Sequence, residues 1–596
     1  MWLFGLIISI CLLIALSLLA IAINKSSYAR KHSFSVVNAL LFGVFISAGV
    51  MFFPVHFAQE EASLLGGCRA VMLSLFNSMQ IFGGGCEFAV VREGIAFCPK
   101  DMALLYQIWA ITLFVLAPVG TVGFVLSVFK NLSATVNYVA AYRKDVYVFS
   151  ELNEKSLVLA ADIRSRDEKA VIVFTDVFEK NEESSFEFLE KAKKLRAICF
   201  KKDILVINFK KHSRKKLISF FVIGMNDAEN LNQALKLIES YKDRENTNLY
   251  VFSTAAGSEL LLSNTDQSAV KVRRINEVQS LINRVLYEHG DVIFQSAREN
   301  AEGTRDISAV IVGMGRHGVE MVKALSWFGQ MDGYKLEINA FDKDRLAEEK
   351  FIARAPELMS DKYNGRFIEG EAYYNIKIHS KVDVETVTFA NEIAKISNAT
   401  YVLVALGNDD MNIRTAVNLR MYFERMHIHP VIQAIVYNSE QKRALFDLKN
   451  FKGQDYDIDF IGDLESSYVA DVIIDSELEE DALQRHLKWG TEEEFWNYEY
   501  NYRSSTASAI HMKARIREGI PGADKSTDQL TPEEKHGIEV LEHKRWNAYM
   551  RAEGYVFSGS TDKESRNDLA KMHHDLVDFD RLTDEERQKD SRVGTK

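Results

Sequence analysis

Long apolar runs alternate with polar stretches in the first quarter of the chain, and short strand-like runs alternate with helical ones afterwards. The apolar runs cover about residues 1–24, 35–57 and 102–129, and none has Lys, Arg, Asp or Glu in its middle. Each exceeds the roughly 20 residues that cross a bilayer as a helix. The pattern predicts three membrane helices within a domain 1–130. Between the second and third lies Ala70–Phe82, AVMLSLFNSMQIF, which is apolar and reads as a helix too short to span. Gly83–Phe88, GGGCEF, follows it. Residues 70–88 are a candidate re-entrant loop, with Gly83, Gly84 and Gly85 turning carbonyls inward and Glu87 drawing cations. The other reading is an outer loop resting on the leaflet, which the absence of a Thr-Val-Gly-Tyr-Gly filter favours.

Basic residues orient these helices. Lys25, Arg30 and Lys31 follow the first, and Lys130, Arg143 and Lys144 follow the third. Both groups are expected inside, the more acidic segment 59–101 outside, and the N-terminus outside. With no basic stretch ahead of the first run, a cleaved signal peptide is not expected. The expected location is the inner membrane, with lipid as a partner and the large C-terminal part in the cytoplasm.

After a linker, 131–144, the period changes. Asp145–Ser150 reads as a strand, the next stretch as a helix, and Ala170–Asp176 as a second strand. The same order returns at Ala309–Leu325 and Lys335–Asp342. SFFVIGMNDAENLNQA begins at Ser219 and YVLVALGNDDMNIRTA at Tyr401, an offset of 182 residues. Asn226-Asp227 and Asn230 thus match Asn408-Asp409 and Asn412, at a turn suited to N-capping. The chain reads as two tandem doubly wound α/β units of Rossmann-like type, 145–300 and 305–475, then a helical connector 476–535 and a last module 536–596.

The second unit holds Gly313-x-Gly315-x-x-Gly318 between strand and helix, with Asp342 24 residues beyond the last glycine. Glycines admit a pyrophosphate to the backbone, and the acid suits a ribose. Candidate nucleotide-binding residues are therefore Gly313, Gly315, Gly318, Asp342, Asn408 and Asp409. The first unit has Ser150-Glu-Leu-Asn-Glu154 at this turn, with two carboxylates where phosphate would lie. It reads as a scaffold or as the seat of a different ligand.

Composition narrows the field. A net charge of -11 argues against nucleic-acid binding. Cys11, Cys68, Cys86, Cys98 and Cys199 form no CxxC pair, so no zinc site is expected. Cys68, Cys86 and Cys98 fall together, as a disulfide pair with one over or as three free thiols. No GxSxG, HExxH or Walker sequence occurs, and neither a catalytic set nor a metal site is expected.

Membrane helices followed by these paired units resemble the RCK or TrkA-N regulatory domains of potassium channels and transporters, over residues 145–475. That resemblance implies ring assembly, as a dimer or tetramer, and ligand-driven movement of attached helices. Leu541–Asp590 resembles the ryanodine-receptor (RyR) repeat in His543, Trp546, Gly554-Tyr555, Gly559, His573, Leu576-Val577, Phe579, Leu582, Glu586 and Asp590. His574 and Asp578 stand where that family usually has proline. The resemblance implies a mainly α module that clamps a nucleotide-like ligand, with His543, Trp546, Tyr555, Arg566, Lys571 and His573 as its candidate residues. The combination is similar to bacterial nucleotide-signalling defence effectors. The expected function is a ligand-gated membrane effector or channel sensing NAD, ATP or a cyclic or ADP-ribose-like nucleotide. The alternatives are a housekeeping potassium or cation channel or transporter subunit regulated by NAD or ATP, and a membrane-tethered NAD(P)-dependent enzyme.

Overall fold

The computed structural model describes the chain except residues 26–35, 84, 86–87, 178–181, 256, 264, 268, 361–363, 365–371, 446–447 and 596. It divides into two compact units. Residues 1–152 with 171–217 form the first, and residues 153–170 with 218–596 the second.

The first unit opens with the helices Trp2–Lys25 and Val36–Phe57. They are joined inside by polar groups: the Ser9 hydroxyl donates to the Ser47 carbonyl at 2.8 Å, and the Ser47 hydroxyl returns the bond to Ser9 at 2.8 Å. Trp109 Nε1 donates to Ser9 Oγ at 2.7 Å, and the Tyr106 hydroxyl donates to the Met51 carbonyl at 2.7 Å. The outward side chains are apolar, Phe4, Leu18, Phe42, Leu104 and Val119 among them. Polar contacts inside and hydrocarbon outside reverse the usual order of a water-soluble bundle. Among the described residues, one helical segment, Lys100–Thr121, is long and apolar enough to cross a membrane, and Trp2–Leu18 and Leu41–Phe57 are shorter apolar stretches.

The expected short helix 70–82 is longer than its apolar pattern indicated. It runs Leu64–Gly83, 20 residues, and begins where Ser63 Oγ accepts the Gly66 amide at 3.0 Å. Gly66 and Gly67 do not break it; Gly67 faces Phe57 at the end of the second helix. Further along, Ser78 faces Gly49, well inside that helix. Ser74, Asn77 and Ser78 are buried on the inner face, and Asn77 Nδ2 lies 2.8 Å from His56 Nε2. Helix Phe88–Ile95 follows, with Phe88 edge-on to Phe114 at 5.5 Å and Gly94 close against Val55. The chain thus enters beside Phe57, reaches Gly49 and returns to Val55. Of the loop residues, Gly83 ends the long helix and the Gly85 amide donates to the Gln80 carbonyl at 3.1 Å. Gly84, Cys86 and Glu87 lie outside the described residues. Cys68 and Cys98 carry free thiols.

The next helix, Lys100–Ala140, has 41 residues and continues through most of the expected linker. At its end the Tyr138 ring meets Phe209 at 5.2 Å and His212 at 5.7 Å. His212 Nε2 donates to the Lys144 carbonyl at 2.8 Å. Strands β1 (Val146–Phe149), β2 (Val171–Phe174) and β3 (Ile198–Cys199) are parallel, in the order β3-β2-β1.

In the second unit, β4 (Ile218–Val222), β5 (Thr247–Phe252) and β6 (Val270–Ile275) are parallel neighbours. A short β7 (Arg298–Glu299) pairs antiparallel with the start of β8 (Arg305–Val312). With β9 (Tyr334–Asp342), β10 (Asn375–Ser380), β11 (Tyr401–Val404), β12 (Val431–Ile435) and β13 (Ile458–Ile461), β8 forms a parallel sheet in the order β10-β9-β8-β11-β12-β13. This is the doubly wound order, which reverses between β8 and β11 and opens a crevice at their carboxyl ends.

The paired Asn-Asp turns hold these edges. Asn226 and Asn408 cap the helices Asp227–Tyr241 and Asp409–Arg425. Asp227 accepts the Thr254 amide at 2.8 Å, and Asp409 accepts the amides of Tyr437 and Asn438 at 3.1 and 2.9 Å. Asn230 bonds the Gly224 amide and the Phe252 carbonyl; Asn412 bonds the Leu406 amide and the Ile435 carbonyl. Each asparagine thereby joins two neighbouring strand ends.

The connector has helices Glu477–His486, Glu492–Asn497 and Glu499–Arg517. His511 Nε2 donates to the Gln330 carbonyl at 2.8 Å, which fastens it to the second sheet's helices. The last module is built on helix Pro532–Ala552, whose start is a capping box of Thr531 and Glu534. Two two-residue parallel strands and helix Asp584–Val593 complete it.

Replacing Asn230 or Asn412 by Ala orphans buried backbone groups, each worth about 1–3 kcal/mol. Urea unfolding of either variant is expected to lose about 2–4 kcal/mol, against about 1 kcal/mol for the exposed cap Asn438→Ala.

Candidate functional site

Helix Arg316–Phe328 differs from its neighbours at its start. Asn or Thr side chains cap the helices Asp227–Tyr241, Glu277–His289, Val387–Ile393 and Asp409–Arg425, whereas the N-cap here is Gly315, with no side-chain bond. Its first amides stay open to a ligand, and the helix dipole favours an anion there.

The three glycines have different duties. Gly313 has φ +98°, and a Cβ on it would meet the Ala405 carbonyl oxygen at 2.5 Å. A Cβ on Gly318 would lie 1.8 Å from the Gly313 carbonyl oxygen. Both serve the turn itself. At Gly315 a Cβ would meet nothing within 4 Å, and this residue borders a cavity of about 680 Å³. That volume lies within the range of small-molecule and cofactor sites.

Asp342 closes one side of the cavity. One carboxylate oxygen accepts the Met314 amide at 2.6 Å and the other the Asp344 amide at 2.7 Å. It holds the glycine turn and keeps further lone pairs for a hydroxyl donor. Val382, Val384 and Leu406 supply an apolar wall. Arg316, Lys343 and Lys155 supply cations. Asn408 and Asp409 spend their side chains on the cap and the loop after β12, and neither borders the cavity.

Sequence reading left the first copy without a part in this site. Its residues Thr254, Ile275 and Glu277 line the same cavity. Arg316 Nη1 donates to Thr254 Oγ1 at 3.0 Å, and that hydroxyl donates to Asp227 at 2.9 Å. Lys155 Nζ donates to Glu277 at 2.8 Å, and the Tyr468 hydroxyl also donates to Glu277. Burial, then Glu277, pushes the Tyr468 hydroxyl far above its ordinary pKa. Burial, reinforced by Glu277 and Asp409, pushes Tyr437 up to about 12. Its hydroxyl lies 3.0 Å from His317 Nε2. Burial and then Arg316 lower His317 to about 4, so the imidazole is neutral at pH 7. The 182-residue offset carried one signal: it sets Thr254 against Val436, beside Tyr437.

A second cavity, of about 550 Å³, lies between connector and last module. His543, Trp546, Arg566 and His573 line it. The Trp546 ring stands edge-on to His573 at 4.9 Å, and burial, then Arg566, lowers His573 to about 3. Tyr555 and Lys571 do not border it. Tyr555 is buried beside Tyr500, and Lys571 Nζ donates to the Glu553 carbonyl at 2.7 Å. His573, His574 and Asp575 bring ligand-type atoms within 4.8 Å of one another. The two imidazoles are stacked 4.7 Å apart at 10°.

No protein-family model matches the chain, and no curated protein matches it.

Gly318→Ala is expected to lower the unfolding midpoint sharply, while Gly315→Ala leaves it within about 0.5 kcal/mol of the parent, as surface changes do; thermal melts check both. The depressed His317 pKa makes its stability contribution complete above pH 6.5 and progressively lost as pH falls toward 4. The drop in melting temperature across that window is expected to shrink in His317→Gln.

Proposed function

We propose that the chain is a membrane-anchored sensor whose cytoplasmic α/β units bind a nucleotide and thereby change membrane permeability. The observation that carries this reading is the cavity at the sheet's strand-order reversal. It offers open helix amides at Gly315 for phosphate, Asp342 for a ribose and an apolar wall for a base. Residues of both repeated copies border it, so an occupant contacts both at once. A ligand that binds one arrangement of these copies more tightly shifts the population toward it. The chain passes between the two units three times, after Leu152, Ala170 and Leu217, which gives the shift covalent routes toward the helices. The membrane reading rests on the apolar helices, their hydrocarbon exterior and their internal serine contacts. The hairpin from Leu64 to Ile95 supports a pore-lining role, and a homo-oligomer, dimer or tetramer, supplies the rest of such a path. The N-terminus lies outside and the α/β units in the cytoplasm, by the distribution of basic residues. A part in nucleotide-signalled defence follows from the RyR and TrkA-N resemblance.

The test is a flux assay. Full-length protein in liposomes is expected to release trapped cations or dye when NAD, ATP, ADP-ribose or a cyclic nucleotide is added, and Gly315→Asp to abolish the response with unchanged melting temperature. An undiminished response in that variant removes the glycine turn from the account. Steady turnover of NADH or NADPH by the purified protein supports the enzyme reading instead.

A further inference from the structure

The second cavity has a charge imbalance that the glycine turn does not explain. Arg485, Arg515 and Arg545 are buried around one carboxylate, Glu542. Glu542 Oε1 accepts from Arg545 Nη2 at 2.7 Å and Oε2 from Arg515 Nη2 at 2.6 Å. Arg485 turns to neutral acceptors, with Nε donating to Ser508 Oγ at 3.0 Å and Nη2 to the Thr595 carbonyl at 3.2 Å. Lys488 Nζ donates to the Thr595 carbonyl at 2.8 Å. Burial lowers Arg485 to about 10, and burial with Arg485 beside it lowers Lys488 to about 8. Three further acids, Asp575, Glu586 and Asp590, line the cavity against four further cations, Lys563, Arg566, Lys589 and Arg592; Asp590 is raised to about 6 by its own burial and lies 3.3 Å from His543.

Arg545 supplies the deciding observation. Its side chain is 1% exposed and lines the cavity, yet Nη1 has no hydrogen-bond partner. An unpaired buried guanidinium nitrogen is costly. Hydrogen bonds to an oxyanion would repay that cost, since charge-assisted bonds to phosphate are the strong ones. The cavity also has aromatic faces from Trp489, Tyr500 and Trp546.

We infer that this cavity is a second anion site, built for the phosphate group of a small molecule and held by Arg545 with Lys488 and Arg485. It does not depend on the nucleotide reading of the glycine turn. Two of its three cations come from the connector, so an occupied site ties connector to module. Inorganic pyrophosphate and adenosine monophosphate present phosphate oxygens without and with an aromatic ring, respectively.

The experiment is calorimetric titration of full-length Gly315→Asp protein, whose glycine turn is blocked, with each probe. Pyrophosphate is expected to bind and Lys488→Gln to weaken it about tenfold, the equivalent of one charge-assisted contact. Arg545→Gln is expected to abolish binding, and a melting scan checks its folding. If that variant unfolds, Lys488→Gln carries the comparison. Tighter binding of adenosine monophosphate than of pyrophosphate assigns the phosphate to a nucleotide, and the reverse order to a free phosphate. No pyrophosphate or adenosine monophosphate binding in Gly315→Asp, or binding indifferent to Lys488 and Arg545, overturns this site. Binding seen only when Gly315 is intact does so while leaving the glycine-turn reading in place.

Discussion

The Gly318 Cα lies so close to the Gly313 carbonyl that no side chain fits between them. This contact sets the angle at which helix Arg316–Phe328 leaves β8, and so the direction of its open amides. Elsewhere along these strand ends, Asn230 and Asn412 close one strand's end onto the next. The result is a firm rim in which the helix start at Gly315 has no side-chain cap. Binding energy spent at that start is not absorbed by nearby capping side chains, because they are already engaged.

The charges around the first cavity follow the same economy. Asp342 fixes the glycine turn with one oxygen and its own following loop with the other, and Glu277 is shared by Lys155 and Tyr468. Arg316 reaches from the second sheet's helix to Thr254 after β5. Such a bridge is partly exposed and cheap to rearrange. The copies are therefore joined at this point by contacts of the strength that a ligand competes with.

The strand–helix order, the glycine turn and the Asn-Asp caps were legible because each depends on a few adjacent residues. Thr531 and Glu534 likewise announced the start of the last long helix. The length of helix Leu64–Gly83 was not legible, since the apolar pattern starts only at Ala70, whereas the first turn is held by Ser63 and by Gly67 fitting against Phe57. The first copy's share in the cavity was hidden for another reason. Its own turn carries acids, and Thr254, Ile275 and Glu277 reach the site through folding across the repeat, not through any local motif. Arg485 and Lys488 escaped similarly: on the sequence they are two basic residues of a polar connector, and only burial against Arg545 distinguishes them.

The 41-residue helix Lys100–Ala140 has one further consequence. At 1.5 Å per residue it is about 60 Å long, and under the proposed membrane reading a bilayer's hydrocarbon would take up only about 30 Å of that. The remainder forms a stiff stalk ending in the aromatic cluster around Tyr138. Under that reading, a stalk of this kind would convert a small sideways displacement at its foot into a change of tilt within the lipid, with Pro118 as the natural point of bending. Leverage of that sort would let angstrom-scale movement near Ala140 reach the helix's far end without any sliding along its axis.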